Sequence, residues 1–346
     1  MEPRTDLKKP ENIVILGAGN WGTTVALHLY EKNYPVGLWE YNKKYYKELI
    51  RFRENRRFLK GFPIPEKIEI YNILEEAVKE KDIIIFAIPS HSVRNVLYKL
   101  KDIIKKDKIK IVSLVKGIEN NTLMLMSQVI KQVIPEFDEK NYIALSGPSF
   151  ANEVARKIPT AIVSASKSIT SAKKIQKIFM TPALRVYVND DITGVELGGA
   201  LKNVIAIAAG ICDGVGFGEN TKAALITRSV VEITRLGTKM GAKIETFSGL
   251  SGIGDLILTC MGKLSRNRFL GEEIGKGKKL EDVLNSMVMI AEGVKTAKSA
   301  YFLAKKFNVE TPIMEKVYKV LFEGENPEKA VNDLMTRQPK AEIQNL

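Results

Sequence analysis

Near the amino terminus an apolar run, Asn12-Ile13-Val14-Ile15-Leu16, passes directly into Gly17-Ala18-Gly19-Asn20-Trp21-Gly22, and Val25, Ala26 and Leu29 follow at helical spacing. A strand feeding a G-x-G-x-x-G loop that opens a helix is a turn of the kind found in parallel βαβ units. Gly17 permits the tight turn, Gly19 lets a pyrophosphate approach the backbone, and Gly22 lets helix and strand pack closely. The helix amino terminus adds N–H donors and a favourable dipole for an anion. An ordinary glycine-rich turn shares this pattern, so a second feature matters. Val36-Gly37-Leu38-Trp39-Glu40 reads as the next strand, ending in an acid about 20 residues beyond the loop. Glu40 is placed to accept hydrogen bonds from an adenosine ribose, which favours NAD over NADP. Asn42, Lys43 and Lys44 follow at once and are able to neutralise a 2′-phosphate. The plainer reading of Glu40 is a solvated carboxylate at a strand end.

The same alternation continues through the first half. Strands are expected at Asn12–Leu16, Pro35–Trp39, Asp82–Ile88, Lys110–Val115, Tyr142–Leu145, Thr160–Ala165 and Leu184–Val188, several of them near-continuous apolar runs of the kind covered on both faces. Helical spacing marks Trp21–Lys32, Lys43–Asn55, Val93–Ile104 and Thr122–Ile134, and Phe58–Pro65, with Gly61, Pro63 and Pro65, reads as an excursion loop. Strand-like runs stop near Asn189–Asp191. Beyond them, the stretches Val195–Ala209, Lys222–Met240, Leu280–Ile290, Val294–Phe307 and Ile313–Phe322 are helical in period. The expected architecture is α/β. An N-terminal Rossmann-like, doubly wound, mostly parallel sheet (residues 1–190) binds a dinucleotide. A C-terminal all-helical domain (residues 191–346) binds substrate and carries catalysis.

Composition removes several alternatives. A chain of 346 residues, 45% hydrophobic, is long enough for two cores and too apolar for disorder. Cys212 and Cys260 are too few for a disulfide framework, and with His28 and His91 they are too few for most structural zinc sites, so no metal is expected. The first residues are polar and no run of about 18 apolar residues occurs, which points to the cytoplasm and to no membrane insertion. The formal charge of +13 is spread over scattered pairs such as Lys43-Lys44, Lys105-Lys106, Lys173-Lys174 and Lys278-Lys279. That pattern suits a solvated surface and gives no stripe for nucleic acid.

Four polar positions interrupt apolar surroundings. Lys116 follows Ile111-Val112-Ser113-Leu114-Val115 at the carboxyl end of an expected parallel strand, where such sheets bind ligands; otherwise it points to solvent. Lys202 lies in a segment, Val195 to Ala209, with almost no other polar side chain. A lysine buried there loses preference for its charged form and becomes a candidate general base, and a second ammonium such as Lys116 would add to this. Its alternative is to snorkel to water. Asp255, in Gly252-Ile253-Gly254-Asp255-Leu256-Ile257-Leu258, either positions Lys202 or caps a helix. Ser265-Arg266-Asn267-Arg268 is either a donor cluster for a phosphate or a helix start. The loop Ser146-Gly147-Pro148-Ser149-Phe150 follows a strand at a ligand-facing edge. Together these favour a nicotinamide oxidoreductase acting on a small phosphorylated substrate; a sister dehydrogenase for another small acid and a nucleotide sensor are the competing classes.

Taken in order, these segments resemble the NAD(P)-dependent glycerol-3-phosphate dehydrogenase family, bacterial type, over about residues 12–325. The resemblance rests on Gly17–Thr23, Ser113–Glu119, Leu145–Glu153, Glu196–Asn203, Asp213–Gly218, Gly254–Leu256, Ser265–Asn267 and Glu292-Gly293. It implies reversible reduction of dihydroxyacetone phosphate to sn-glycerol 3-phosphate for glycerophospholipid synthesis, and a homodimer. By the same resemblance Lys202 is the proton acceptor, Lys116 binds substrate and cofactor, and Asp255 holds the lysine and a substrate hydroxyl. Gly147, Ser149, Asn203, Ser265, Arg266 and Asn267 contact substrate. Gly17, Gly19, Asn20, Trp21, Gly22, Glu40, Tyr41, Ala151, Arg266, Ile290 and Glu292 contact NAD or NADP. Two positions depart from the family: it often has tyrosine or another residue where Trp21 stands, and Glu40 differs from bacterial members that accept NADPH.

Overall fold

The computed structural model describes residues 10–104, 108–287, 291–339 and 341–342. The cofactor contact expected at Ile290, and the Lys105-Lys106 pair, lie outside these residues.

Eight strands form one sheet: β1 Ile13–Leu16, β2 Val36–Trp39, β3 Glu69–Tyr71, β4 Ile83–Phe86, β5 Lys110–Ser113, β6 Tyr142–Ser146, β7 Thr160–Ala165 and β8 Leu184–Asn189. Their order is β3-β2-β1-β4-β5-β6-β7-β8. Every pairing is parallel except β6 with β7, which is antiparallel. The apolar runs that suggested these strands are buried on both faces: β1, β2 and β4 contain no exposed residue. Helices α1 Asn20–Glu31, α2 Lys43–Phe52, α3 Leu74–Val78, α4 Ser90–Leu100, α5 Met126–Val133, α6 Ala151–Ala155 and α7 Ile169–Phe179 connect them. Chain order reverses between β1 and β4, which opens the crevice at their carboxyl ends where open α/β sheets take ligands.

All seven expected strands are present, most of them shorter than the apolar run that signals them. The eighth, β3, is too short to show alternation, with Ile70 its one fully inward side chain. Four helices are also trimmed, among them Val93–Ile104, which is helical only to Leu100. The segment Lys43–Asn55 is helical only to Phe52, because Arg53 turns left-handed at φ 45°. Thr122–Ile134 is helical only from Met126, since Leu123 at φ 60° closes a turn with Glu119 and Met124. Leu280–Ile290 is helical to Ser286, and residues 288–290 of that expected helix lie outside the described residues.

After β8 the chain is helical among the described residues: α8 Ile192–Val215, α9 Glu219–Lys239, α10 Ile244–Phe247, α11 Asp255–Met261, α12 Arg266–Gly275, α13 Leu280–Ser286, α14 Glu292–Lys306, α15 Pro312–Phe322 and α16 Pro327–Met335. Asp191 starts α8 by accepting from Gly194 N–H at 2.8 Å, and its other oxygen accepts from Lys243 N–H and Thr246 Oγ1. α8 is the hub. It is long and apolar enough to cross a membrane, yet its apolar stretch is wholly buried by the surrounding helices. α12 lies backbone-close against it: a Cβ on Gly271 would stand 2.0 Å from the Ile207 carbonyl oxygen. Glu196 docks α8 on the sheet side, accepting from Ser127 N–H at 3.0 Å and from the Ser127 and Tyr142 hydroxyls. This docking brings the Lys202 face of α8 to the carboxyl ends of β5 and β6.

Candidate active site

At the end of β1, Gly17 takes φ +113°, and a Cβ there would lie 2.6 Å from the Ala87 carbonyl oxygen at the end of β4. A Cβ on Gly22 would stand 1.9 Å from the Gly17 carbonyl oxygen, so only glycine lets α1 start against β1. A Cβ on Gly19 would meet nothing within 4 Å. The loop is therefore tight on its inner side and open on its outer side. Beside the opening, Asn20 Oδ1 is buried without a protein partner. A backbone turn with open N–H groups at a helix start and an unpartnered polar atom beside it fits a dinucleotide pyrophosphate. Glu40 ends β2 next to this loop and is buried rather than solvated. Burial pushes its carboxyl above the ordinary range, opposed by the N–H groups of Asn42 and Ala18 and by Arg57. Tyr41 beside it is exposed and Trp21 is half-buried. Ala151 opens α6, and its carbonyl accepts from Thr24 Oγ1 of α1 at 3.3 Å.

The chemistry-bearing groups meet on the far side of the crevice. Asp255 is fully buried at the first position of α11, where its side chain caps nothing. Its Oδ1 accepts from Lys202 Nζ of α8 at 2.5 Å and its Oδ2 from Lys116 Nζ, beyond β5, at 2.7 Å. Lys202 also donates to Thr259 Oγ1 at 2.9 Å, and Lys116 to the Gly147 carbonyl at 2.9 Å. Each ammonium has three donors. Each thus keeps one position with no protein partner among the described residues. Two cations share one carboxylate, so the site carries a net positive charge. Burial pushes Lys202 down to about 8; Asp255 opposes the shift and Lys116 adds to it. The reading of Lys202 as a snorkelling residue and of Asp255 as a cap is overturned by this geometry.

The remaining expected residues divide into two groups. Arg266, in the first turn of α12, is exposed as a residue, but its guanidinium is crowded by surrounding protein, which lowers its pKa against the opposing carboxylate of Glu292, and it makes no hydrogen bond to the described residues. Glu292 begins α14 and accepts from Ser90 Oγ at 2.8 Å, which places it beside the β4 crevice. Arg266 is thus an open donor fork, whereas Arg268 is committed to Asp213 at 2.6 Å and is no part of a donor cluster. Ser265 is the α12 cap, its Oγ accepting from Arg268 N–H at 3.2 Å. Asn203 and Asn267 are buried and joined: Asn267 Nδ2 donates to Asn203 Oδ1 at 2.9 Å, and Asn203 Nδ2 donates to the Lys116 carbonyl at 3.1 Å. Asn267 Oδ1 accepts from Gly293 N–H at 2.9 Å, so the pair ties α8, α12 and α14 to the Lys116 loop. Ser149 Oγ donates to the same Gly147 carbonyl that Lys116 uses. His28 of α1 donates from Nε2 to the Phe179 carbonyl at the end of α7 at 2.7 Å, away from these groups, and both cysteines are buried and unpaired.

Thr259, Ser90 and Glu196 were not singled out by sequence. Thr259 had a signal: it lies four residues after Asp255 and shares its helix face. Ser90 and Glu196 had none, since their partners are remote in the chain.

Two family models match, described as NAD-dependent glycerol-3-phosphate dehydrogenase N-terminus (residues 12–172) and C-terminus (residues 191–332). A glycerol-3-phosphate dehydrogenase [NAD(P)+] of Syntrophotalea carbinolica is 51% identical over 332 residues, covering 96% of this chain and 99% of its own. One from a Thermoanaerobacter species is 48% identical over 334 residues, covering 96% and 99%. The crystal structure of glycerol-3-phosphate dehydrogenase from Coxiella burnetii superposes with a TM-score of 0.90 at 36% identity, covering 95% of this chain and 99% of that one.

Proposed function

The chain belongs to the NAD-dependent glycerol-3-phosphate dehydrogenase family, and on that premise we propose that Lys202, Asp255 and Lys116 carry the proton transfer and substrate orientation of its reaction. It is an NAD(P)-dependent oxidoreductase that interconverts dihydroxyacetone phosphate and sn-glycerol 3-phosphate. The observation that supports the roles is the single buried carboxylate shared by two lysines.

When bound, the nicotinamide ring supplies a hydride to substrate C2, or takes one from it. Every other task falls to side chains. Lys202 in its ammonium form donates a proton to the C2 oxygen during reduction, and in its amine form accepts one during oxidation. Burial keeps both forms accessible near neutral pH. Asp255 fixes the Lys202 amine through Oδ1 and accepts Thr259's helix-mate contact through its backbone carbonyl. Lys116 turns its remaining donor toward a substrate oxygen and adds positive charge where oxygen becomes negative. Arg266 presents its free planar fork to the phosphate. Gly17, Gly19 and Gly22, with Asn20, form the cradle for the pyrophosphate, and Glu40 faces the adenosine ribose. Glu292 and Ala151 line the cofactor side, and Ser149 and Gly147 the substrate side. The reaction's product is a glycerophospholipid precursor, which supports a place in lipid synthesis in the cytoplasm. A homodimer completes this reading, and light scattering on the purified chain tests it.

Oxidation of NADH on adding dihydroxyacetone phosphate tests the whole reading. Turnover of pyruvate or another 2-keto acid in preference to dihydroxyacetone phosphate would overturn it.

A further inference from the structure

Asn55 lies just past α2 and outside the glycine loop, yet it is completely buried and reaches that loop from below. Its Nδ2 donates to the Ala18 carbonyl at 2.9 Å and to Thr23 Oγ1 at 2.7 Å. Its Oδ1 accepts from Phe58 N–H at 2.9 Å and from the Tyr45 hydroxyl. Both donors and both acceptor directions of the amide are in use, and only a carboxamide offers that set in one planar group. Aspartate keeps the acceptors and loses the donors; leucine fills similar space and loses both.

The Ala18 peptide, at the centre of Gly17-Ala18-Gly19, is the target. The Ala18 N–H, in the Gly17–Ala18 peptide plane, interacts with the Glu40 carboxylate, and the Ala18 carbonyl, in the Ala18–Gly19 plane, is held by Asn55. With one group held in each of two consecutive peptide planes, φ and ψ of Ala18 are fixed, and the Gly19 N–H, which shares a plane with the held carbonyl and points the opposite way, keeps its direction. Loops with freedom to turn lose binding energy in ordering each time a ligand arrives. Asn55 follows the left-handed turn at Arg53, whose guanidinium donates to the carbonyls of Ile64 and Pro65 in the excursion loop and of Ile68 just beyond it. The excursion loop thus has a purpose: it wraps Arg53 so that Asn55 points inward.

We propose that Asn55 is a positioning residue for the dinucleotide, setting cofactor affinity by locking the Ala18 peptide, with no part in the proton transfer. This rests on the reading that the Gly17–Gly22 loop holds the cofactor.

The test uses the full-length chain, with NADH binding followed directly by fluorescence titration alongside kcat, both KM values and the melting temperature. Asn55→Leu is expected to weaken NADH binding about 10–100-fold, the range for a buried carbonyl left without its donor. The value of kcat at saturating NADH and the KM for dihydroxyacetone phosphate stay within twofold. Tyr45→Phe removes only the hydroxyl that orients the amide and is expected to weaken NADH binding about 2–10-fold with little change in melting temperature. It decides the matter if Asn55→Leu does not fold. Unchanged NADH binding in the folded variants overturns the proposal. So does a parallel fall of NADH binding, kcat and substrate affinity, which marks a general structural defect. A wild-type chain that binds no NADH defeats the cofactor reading itself, whereas wild-type binding with unaltered variants defeats the Asn55 role alone.

Discussion

Lys202 Nζ stands 2.5 Å from Asp255 Oδ1, on two helices whose residues are 53 positions apart in the chain. Lys202 is thereby a buried amine with a fixed direction, and its remaining position is open to a substrate. Lys202→Ala is expected to lower turnover about 10²–10⁴-fold, the usual contribution of a general acid–base group. NADH affinity, measured by fluorescence titration, stays near the wild-type value, since the cradle at Gly17–Gly22 is untouched. Retained turnover in the folded variant would remove Lys202 from the proton path.

The pH profile follows from the same residue. With the amine pushed down to about 8, reduction needs the ammonium and falls as pH rises through about 8. Oxidation needs the neutral amine and rises through the same window, because one-tenth or so of the groups are neutral a unit below the pKa. Initial rates in both directions between pH 6 and 10 give the two opposed limbs. Parallel limbs would contradict the assignment.

Asp255→Asn leaves Lys116 and Lys202 facing one another with no anion between them. Removing one partner of a buried charge cluster costs about 3–5 kcal/mol. The melting temperature should fall by many degrees, and what activity remains should have its limbs moved to lower pH, because the carboxylate that raises the Lys202 pKa is gone. Calorimetry and pH-resolved rates check the two parts separately.

Arg266 and Arg268 are neighbours with opposite expectations. Arg266→Ala removes an unengaged fork and is expected to raise the KM for dihydroxyacetone phosphate about 10–100-fold, the loss of one or two charge-assisted hydrogen bonds. The melting temperature is expected to change little. Arg268→Ala strips Asp213 of a partner at 2.6 Å and should lower the melting temperature with a smaller effect on KM. An unaltered KM in Arg266→Ala would assign the phosphate elsewhere.

Glu40 tests coenzyme choice. A buried carboxylate at the end of β2 repels a 2′-phosphate, so kcat/KM should be higher with NADH than with NADPH. Glu40→Gln removes the charge while keeping a side chain of the same size and is expected to move the ratio toward NADPH about tenfold or more. Comparing both coenzymes in wild type and variant measures it. A wild-type preference for NADPH would show that Lys43, Lys44 or Arg57 outweighs the acid.

Much of the fold is legible in the sequence. Continuous apolar runs such as Ile83–Phe86 announced strands covered on both faces, and the switch to helical period after Asn189 announced the second half. Lys202 is conspicuous within Val195–Ala209 because so little around it is polar; that surrounding predicts a buried helix, while the choice between a buried and a snorkelling lysine is made by packing. Element ends were less legible. Left-handed backbone ends α2 at Arg53 and at Leu123 delays the start of α5, a local choice that apolar spacing does not report. β3 escaped notice because three residues carry too little alternation.

The composition and spacing of the chain determined that a glycine-rich turn joins a strand to a helix, that Lys202 lies in an apolar segment, and that Asp255 sits in an apolar run. Packing alone determined what these groups do to one another. Periodicity says which face of a helix is buried but not which distant face it meets. Lys116 and Asp255 are 139 positions apart and Ser90 and Glu292 are 202 apart. The shared carboxylate, the amide link from Asn203 to Asn267 and the grip of Asn55 on Ala18 exist only once α8 is docked against the sheet and α2 has turned back on the loop. Hydrogen bonds act over about 3 Å, and only a folded chain brings such remote positions that close.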